Sequence, residues 1–231
     1  MLKSKELRAR AWESLKDRYW MAFVVTLVTG IIGSVSGVFT TFAQGLSEAL
    51  SLVDPAEMDS TMVVGALVLN GVVIVSSIIG LLVGIFVTNA ITVGVCNYFI
   101  KNTDSKPVFA DAFSGFKVKY GRNIGTLLLA GIKVVLWSFL FIIPGIIKSY
   151  EYAIIPYILA DDPDISSKDA FAKAKQMMKG NKWRLFKLEF SFIGWFVLCV
   201  LTIGLGTFFL LPYLNAATAE FYVELKNNEN I

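Results

Sequence analysis

Histidine is absent from this 231-residue chain, and cysteine occurs only twice. Without histidine the chain lacks the usual general base near neutral pH and the commonest metal ligand, which excludes hydrolysis of the Ser-His or zinc-histidine type. Cys96 and Cys199 both lie in apolar segments without neighbouring ligand residues, so we expect neither a disulfide nor a metal site. P-loop, GxGxxG and HExxH motifs are missing as well. The sequence therefore predicts a protein that is not an enzyme and that uses no cofactor.

Charge is also scarce, because 17% of the residues are charged while 55% are hydrophobic and the mean hydropathy is +0.64. The apolar runs are far longer than the core helix of a soluble protein requires, which predicts an integral membrane protein. The net charge of +3 comes from lysines and arginines in blocks beside these runs. This placement favours anionic lipid headgroups as the charged partner. Nucleic acid is not expected, because it needs a larger basic face.

The stretch 165–195 is the most informative part of the chain. Ser166 followed by Asp169 predicts a capping box, and Gly180 with Asn181 predicts a C-cap, so a helix of about four turns is expected between them. One face of this helix is apolar and the other basic. The apolar face carries Ala170, Phe171, Ala174, Met177 and Met178. We interpret it as a basic amphipathic helix on the membrane surface that leads into an apolar span.

Two earlier segments resemble this arrangement. The first segment, residues 1–19, has Leu7, Ala11, Trp12 and Leu15 on one side of a basic helix. In the second segment, Asp111-Ala112-Phe113 repeats Asp169-Ala170-Phe171. We predict one integral membrane domain over residues 1–231, built from units 1–100, 101–163 and 164–231. Each unit would contain a basic amphipathic surface helix, an aromatic interfacial anchor and a long apolar segment. The anchors are Trp20, Tyr120 and Trp183. Internal duplication and convergence on one physical task both stay open.

Charge also predicts the topology. Residues 1–19, 101–122 and 161–187 are net positive, whereas residues 44–60 contain Glu48, Asp54, Glu57 and Asp59 without lysine or arginine. By the positive-inside rule the acidic loop lies outside, and both termini lie in the cytoplasm. The fold class is therefore predicted to be all-α and polytopic, with about six transmembrane helices in three hairpins.

Glycine and proline mark the expected interruptions of these helices. A kink is expected near Gly80, Gly84 and residues 88–90, a hairpin at Pro144-Gly145, and an outer turn at Gly204 and Gly206. Residues 146–160 form either a complete return or a partial, tilted span. The C-terminal FYVELKNNENI is polar, and we expect it to be frayed.

The segment FIIPGIIKSYEYAIIPYILADDPDISSKDAFAKAKQMMKGNKWRLFKLEFSFIGW, with the later PYLNAATAEFY, resembles an uncharacterised family of bacterial multi-pass membrane proteins, domain of unknown function 975. The likeness covers nearly the whole chain, although its specific part is 141–195. The family is distantly similar to the membrane portion of some glycerophosphodiester phosphodiesterases, which lacks their catalytic domain. The resemblance implies a bacterial cytoplasmic membrane location and a multi-pass topology, and it implies no enzymatic activity.

Several polar residues lie within or near the apolar segments, where an unpaired ionised group is costly. The candidate intramembrane cluster consists of Lys133, Lys148, Glu151, Glu189, Asn89 and Asn215. We expect Glu151 to reach Lys133 across the hairpin, either as a polar pocket or as a structural staple. For the two asparagines, interhelical hydrogen bonds are the main expectation.

Three classes of function follow from these features. The first is a non-enzymatic scaffold that binds lipid, a protein partner or a second copy of the chain. The second is a small transporter or channel with a polar site around Lys133 and Glu151. The third, a lipid-modifying enzyme, is disfavoured because no acid-base pair with a nucleophile can be assembled. A transporter would need a hydrated cavity that touches Lys133 or Glu151, whereas a scaffold can be packed solid.

Overall fold

A computed structural model describes residues 1–52, 59–117 and 119–229. It describes the side chains of all these residues except 35, 36, 50 and 229. Over these ranges the chain is all-α and has no strand, as predicted. Asp54 and Glu57 of the predicted acidic loop lie outside the described residues. The α-helices follow one another as α1 (Ser4–Leu15), α2 (Tyr19–Ser51), α3 (Ser60–Val83), α4 (Asn89–Asp104), α5 (Ser114–Lys117), α6 (Tyr120–Leu140), α7 (Ile142–Tyr152), α8 (Ile155–Asp161), α9 (Ser167–Met177), α10 (Lys182–Phe190), α11 (Ile193–Leu201) and α12 (Leu205–Glu229).

Contacts divide the chain into two compact units. The large unit contains Met1–Thr29 and Asn89–Ile231, and the small unit contains Gly30–Thr88. These boundaries differ from the predicted units 1–100, 101–163 and 164–231, because α1 packs against α12 at the far end of the chain.

The small unit consists of the second part of α2, α3 and a π-helical segment at Gly84–Thr88. Asp59 caps α3 by accepting a hydrogen bond from the Met62 amide at 2.7 Å. The π-helical segment falls where glycine and polar residues predicted a kink. Most large apolar side chains of α3 are exposed.

Among the described residues, three helical segments are long and apolar enough to cross a membrane. These are Tyr19–Ala49, Ser60–Asp104 and Tyr120–Leu140. Of the other segments of the predicted six-span topology, α7 and α11 are too short as single helices, whereas α12 has 25 residues but is not apolar enough. For example, α11 has nine residues and is therefore about 14 Å long, against about 30 Å of hydrocarbon.

The core of the large unit is formed by α1, α4, α8, α9, α10 and the second half of α12. Leu7, Ala11 and Leu15 of α1 are buried in this core, and so are Ala170 and Ala174 of α9. The expectation that the apolar faces of α1 and α9 contact lipid is therefore wrong. The same apolar spacing fits a protein core as well as a lipid surface.

The predicted N-cap of α9 is confirmed, whereas the helix ends at Met177, three residues before the predicted C-cap at Gly180. Ser166 is its N-cap and accepts a hydrogen bond from the Asp169 amide, while Gly180 adopts a φ of +79° just past its end. The expectation of a frayed C-terminal tail is wrong for residues 221–229, because α12 continues to Glu229, and residues 230 and 231 lie outside the described residues. Tyr222 is buried there and stacks on Tyr157, with 5.7 Å between the ring centroids.

Two antiparallel hairpins, α6–α7 and α11–α12, complete the large unit. The first turns at Phe141, whose backbone is extended, and Pro144 occupies the first turn of α7, where proline is tolerated. The turn thus lies three residues before the predicted Pro144-Gly145. Gly145 instead allows the two arms to approach, because a Cβ there would lie 2.1 Å from the Ser138 hydroxyl oxygen. The second hairpin turns between α11 and α12 at Gly204, as predicted.

Candidate functional site

Glu151 of α7 is the centre of the best-defined polar cluster. Its side chain is 6% exposed, and its two oxygens accept hydrogen bonds from the ammonium groups of Lys148, at 2.7 Å, and Lys182. Lys148 comes from the previous turn of α7, whereas Lys182 begins α10. A buried carboxylate is tolerated when opposite charges and hydrogen bonds satisfy it. The cluster therefore joins α7 to α10.

Lys133 does not form the expected pair with Glu151. Its ammonium nitrogen lies 3.7 Å from the ring centroid of Phe171 in α9. Phe171 in turn meets Tyr152 edge-on, with 5.2 Å between the ring centroids. Lys148 also lies near an aromatic ring, 5.6 Å from the centroid of Tyr152. The ammonium groups of both lysines of the α6–α7 hairpin thus lie near the aromatic pair Tyr152–Phe171. Lys182, and not Lys133 as expected, forms the second ion pair with Glu151.

Glu189 accepts a hydrogen bond from the Tyr150 hydroxyl at 2.7 Å, which gives α7 and α10 a second connection. Tyr150 also contacts Phe186 edge-on, and Phe186 stacks on Trp183 at 4.7 Å. Lys187 lies 5.8 Å from the Trp183 ring. We call the set of cations, carboxylates and rings in this region the belt. It consists of Lys133, Lys148, Tyr150, Glu151, Tyr152, Phe171, Lys182, Trp183, Phe186, Lys187 and Glu189.

The remaining predicted residues belong to other helices. Asn89 begins α4 and Asn215 is half-buried in α12, so neither lies on a helix that forms the belt. Of the predicted anchors, Trp20 is 70% exposed and Trp183 is 62% exposed. Tyr120 is partly buried and stacks on Phe116, with 5.9 Å between their centroids.

Three arginines join distant parts of the chain, a role that was not predicted from the sequence. Arg122 donates to the carbonyl oxygens of Pro163 and Ile165 at 2.7 and 2.6 Å, and Arg8 donates to that of Ser191 at 2.9 Å. The Arg122 bonds join the second basic segment to the third. The Arg8 bond joins the first basic segment to Ser191, which lies four residues past the end of the third segment. A planar guanidinium forms several such bonds more readily than an ammonium does. The presence of arginine instead of lysine at these positions could therefore have indicated the long-range hydrogen bonds.

Arg184 ties the N-terminus to the C-terminal helix. It forms a two-bond pair with Glu224, at 2.9 and 2.7 Å, and donates to the carbonyl oxygen of Leu2 at 2.9 Å. The Leu2 amide donates to the same Glu224 carboxylate at 2.7 Å. Charge pairing thus explains why the ends of the chain meet in one unit.

The large unit contains, among other cavities, an apolar groove and a smaller, more polar cavity. The apolar groove, of about 510 Å³, lies between α1, the start of α2, α11 and α12. Its walls are Trp12, Tyr19, Trp195, Leu198, Cys199, Thr202, Gly206, Phe209, Leu210 and Tyr213.

A smaller, more polar cavity of about 380 Å³ contains the ion pair between Lys101 and Asp111, at 2.6 Å. Burial alone would raise the pKa of Asp111. The hydrogen bonds from Lys101 and from the Val108 amide outweigh burial and lower the pKa below its ordinary value. Within the described residues, no three Cys, Asp or Glu side chains converge as metal ligands.

Comparison with known proteins gives one family match. No curated protein matches the chain, and no solved structure matches it. The expected likeness to the membrane portion of glycerophosphodiester phosphodiesterases is not supported by these comparisons. The matching region contains the predicted specific part 141–195 but does not extend over nearly the whole chain. Residues 140–229, which include α7 to α12 and all of the belt except Lys133, match the family model described as "Protein of unknown function (DUF975)".

Proposed function

We propose that the protein is a non-enzymatic scaffold of the bacterial cytoplasmic membrane that binds anionic lipid headgroups at the inner surface. In this proposal α2 and the α3–α4 segment cross the membrane, and the large unit presents its basic segments to the cytoplasmic leaflet. Both termini are cytoplasmic. The protein that this scaffold binds is another membrane protein or a second copy of the chain.

The clustering of the three basic segments in one unit supports this orientation. Arg18 of the first segment donates to the Ser105 carbonyl of the second at 2.7 Å. Lys119 of the second segment forms an ion pair with Asp164 of the third, also at 2.7 Å. Segments that are bonded to one another lie on one side of a membrane, and net positive segments favour the cytoplasmic side.

The observation that carries the lipid-binding proposal is the exposure of four residues in and after α9. Lys175, Lys179, Trp183 and Lys187 recur at intervals of four positions, and all four are exposed. Exposed lysines beside an exposed tryptophan suit the headgroup layer, where each lysine contributes about 1 kcal/mol of attraction to anionic lipid.

A transporter or channel has less support from the belt. The Glu151 carboxylate is buried and neutralised by two lysines, and the Lys133 ammonium lies against a ring of α9. Both groups are engaged in joining helices. The apolar groove and the polar cavity are lined by other residues.

The test uses the purified protein in nanodiscs that contain equal amounts of phosphatidylglycerol and phosphatidylcholine. Native mass spectrometry counts the lipids that remain bound after release from the disc. Changing Lys175, Lys179 and Lys187 together to Gln should reduce the retained phosphatidylglycerol, and added salt should reduce it in the parent protein.

The matched control removes the same charge from Lys16, Lys101 and Lys119, which are paired with Glu13, Asp111 and Asp164. We expect this control to retain phosphatidylglycerol like the parent. Equal retention in the test and control variants would reject the proposed headgroup site, and equal retention of the two lipids by the parent would reject any anionic preference.

A further inference from the structure

The turns of both hairpins carry the most exposed large apolar side chains of the large unit. Phe139 in the first hairpin is 86% exposed, and Ile203 in the second is 95% exposed. We call residues 134–147 the first tip and residues 193–209 the second tip. Apolar surface of this kind is stable in lipid and unfavourable in water, so the depth of each tip determines how far the hairpin enters a membrane.

Two lysines limit the depth of the first tip. Lys133 lies eight residues before the turn at Phe141, and Lys148 lies seven residues after it. At 1.5 Å per helical residue, both lie about 10–12 Å from the turn. Both ammonium groups reach the same aromatic pair, Lys133 at Phe171 and Lys148 at Tyr152. The apolar tip is thus bounded by cations at the same depth on both arms.

The first residues of α6 pack in the core of the large unit. Arg122 binds two carbonyl groups of the α8–α9 connection, and the hydroxyl groups of Thr126 and Ser167 are 2.7 Å apart. Asn123, Ile124 and Thr126 are buried. Although α6 as a whole is long enough to cross a membrane, its exposed large apolar side chains begin only at Leu128, so the first two turns of α6 belong to the core.

Helix α1 limits the second tip in a similar way. The Arg8 guanidinium donates to the Ser191 carbonyl, and the Tyr213 hydroxyl donates to the Arg8 carbonyl at 3.1 Å. Ser191 lies twelve residues before Ile203, and Tyr213 lies ten residues after it. The two connections are therefore about 15–18 Å from the turn, where the basic helix α1 packs against α12 and against α10, which precedes the hairpin.

The second turn satisfies its backbone donors internally. The amides of Thr202, Ile203, Gly204, Leu205 and Thr207 all donate to carbonyl groups of the same hairpin, and the Gly206 amide donates to the Thr202 hydroxyl at 2.9 Å. A turn that is exposed to hydrocarbon must satisfy its amides in this way, because lipid chains offer no acceptors. Pro144 similarly removes one donor from the first hairpin.

We propose that the α6–α7 and α11–α12 hairpins each enter the lipid of the cytoplasmic leaflet and return near the bilayer midplane without crossing. Tips of about 10–15 Å correspond to half of the roughly 30 Å hydrocarbon layer. A complete crossing would place Lys133 and Lys148 well inside the hydrocarbon, whereas half-depth insertion places them at the headgroups. This inference rests on the membrane location in the proposed function and replaces the predicted six crossings by two.

The test places a single added cysteine at an exposed position of each tip, with Ile142→Cys and Val200→Cys as separate variants. A membrane-impermeant maleimide is applied to intact cells. The purified variants are also labelled with a nitrobenzoxadiazole dye and placed in vesicles whose lipids carry a quencher near the headgroup or near the chain end. The native Cys96 and Cys199 are buried, and the parent protein supplies the background.

We expect the tip cysteines to show background labelling from outside and strongest quenching by the chain-end lipid. Ser60→Cys should be labelled from outside, and Lys106→Cys should be labelled only after the membrane is opened. Labelling of either tip at the level of Ser60→Cys would overturn half-depth insertion for that hairpin. Strongest quenching by the headgroup-labelled lipid would overturn it as well.

The two proposals fail in different measurements. Loss of the phosphatidylglycerol preference, with chain-end quenching unchanged, rejects only the headgroup site. Outside labelling of the tips, with the lipid preference unchanged, rejects only the half-depth hairpins.

Discussion

Lys133 and Phe171 form a cation–π contact in which the ammonium nitrogen lies 3.7 Å from the ring centroid. This contact connects the middle of α6 to α9, and Tyr152 extends it to α7. Three helices of the large unit thus meet at a cation and two rings. The arrangement neutralises no charge, but the negative faces of the rings favour the ammonium over an uncharged group.

We predict that Lys133→Met and Phe171→Leu are coupled in a double-mutant cycle by about 1 kcal/mol, the usual size of a partly desolvated cation–π contact. Thermal unfolding in detergent gives the free energies. The control cycle combines Lys133→Met with Glu151→Gln and should be additive, because Glu151 binds Lys148 and Lys182 instead. Coupling in the control cycle, or additivity in the first, would show that Lys133 has a different partner.

Removing the Glu151 carboxylate should cost more than removing either lysine. We expect Glu151→Ala to destabilise the protein by about 2 kcal/mol, because two charge-assisted hydrogen bonds are lost and two lysines are left near each other. Lys182→Met should cost less, since Lys148 still pairs with the carboxylate. Chemical unfolding followed by tryptophan fluorescence measures the differences.

Lys119→Met provides the control for this series. Lys119 also forms an ion pair at 2.7 Å, but its partner Asp164 is 85% exposed. We expect no measurable change in stability, as is typical of surface pairs. A Glu151→Ala variant as stable as Lys119→Met would mean that the belt does not hold α7 to α10.

Local features of the chain could be predicted from sequence, and long-range pairs could not. Ser166 caps the start of α9 and Gly180 lies three residues past its end, so the approximate bounds of α9 follow from neighbouring positions. The partner of Lys133 depends on where α9 packs, which no spacing along α6 or α7 reveals. Of the predicted apolar face of α1, Leu7, Ala11 and Leu15 are buried while Trp12 is exposed. The neighbour of the buried residues is the protein core, because lipid and core select the same residues.

The depth to which the hairpins enter the membrane is a second property that could not be predicted from the sequence. Hydropathy treats α6 as one apolar run, although Arg122 binds the α8–α9 connection and Thr126 is hydrogen-bonded to Ser167 at the start of α9. These contacts join residues about forty positions apart, so a window that moves along the sequence does not detect them. Sequence could identify the turn at Gly204, where the left-handed φ of +84° favours glycine. It could not show how much of each arm belongs to the core.

Gly94 of α4 and Gly115 of α5 should be intolerant of any side chain. A Cβ at Gly94 would lie 2.0 Å from the Ala112 carbonyl oxygen, and one at Gly115 would lie 2.0 Å from that of Ala90. Because the opposing atoms are backbone, relief requires α4 to move away from α5 and from the 3-10 segment Phe109–Phe113 that precedes α5. We expect Gly94→Ala and Gly115→Ala each to cost about 3 kcal/mol or more in the free energy of unfolding.

Gly125→Ala is the matched control in the same unit, since nothing lies within 4 Å of its added Cβ. In the helix α6 we expect it to be neutral or to stabilise by up to about 1 kcal/mol, the difference in helix propensity. Thermal melts in one detergent compare the three variants. If all three shifted the midpoint equally, the close approach of α4 and α5 would be refuted.

Glu220 should make the stability of the protein depend on pH. Burial raises the pKa of Glu220 above its ordinary value, while Arg10 lowers it and Asp104 raises it further. The folded state therefore binds a proton more readily than the unfolded state, and stability should increase as the pH falls through the raised pKa. Glu220→Gln removes the buried charge, so we expect a higher melting temperature than the parent near pH 7 and a smaller difference under mildly acidic conditions.

Glu224→Gln, one turn later on α12, should have the opposite effect. Glu224 accepts two hydrogen bonds from Arg184 and one from the Leu2 amide, so its charge is used in the folded state. Removing that charge weakens three charge-assisted bonds and should lower the melting temperature at neutral pH. The two variants have the same change in composition and net charge, which leaves the surroundings as the difference between them. A lower melting temperature for Glu220→Gln at neutral pH would show that its carboxylate has a stabilising partner, and that burial does not dominate its energetics.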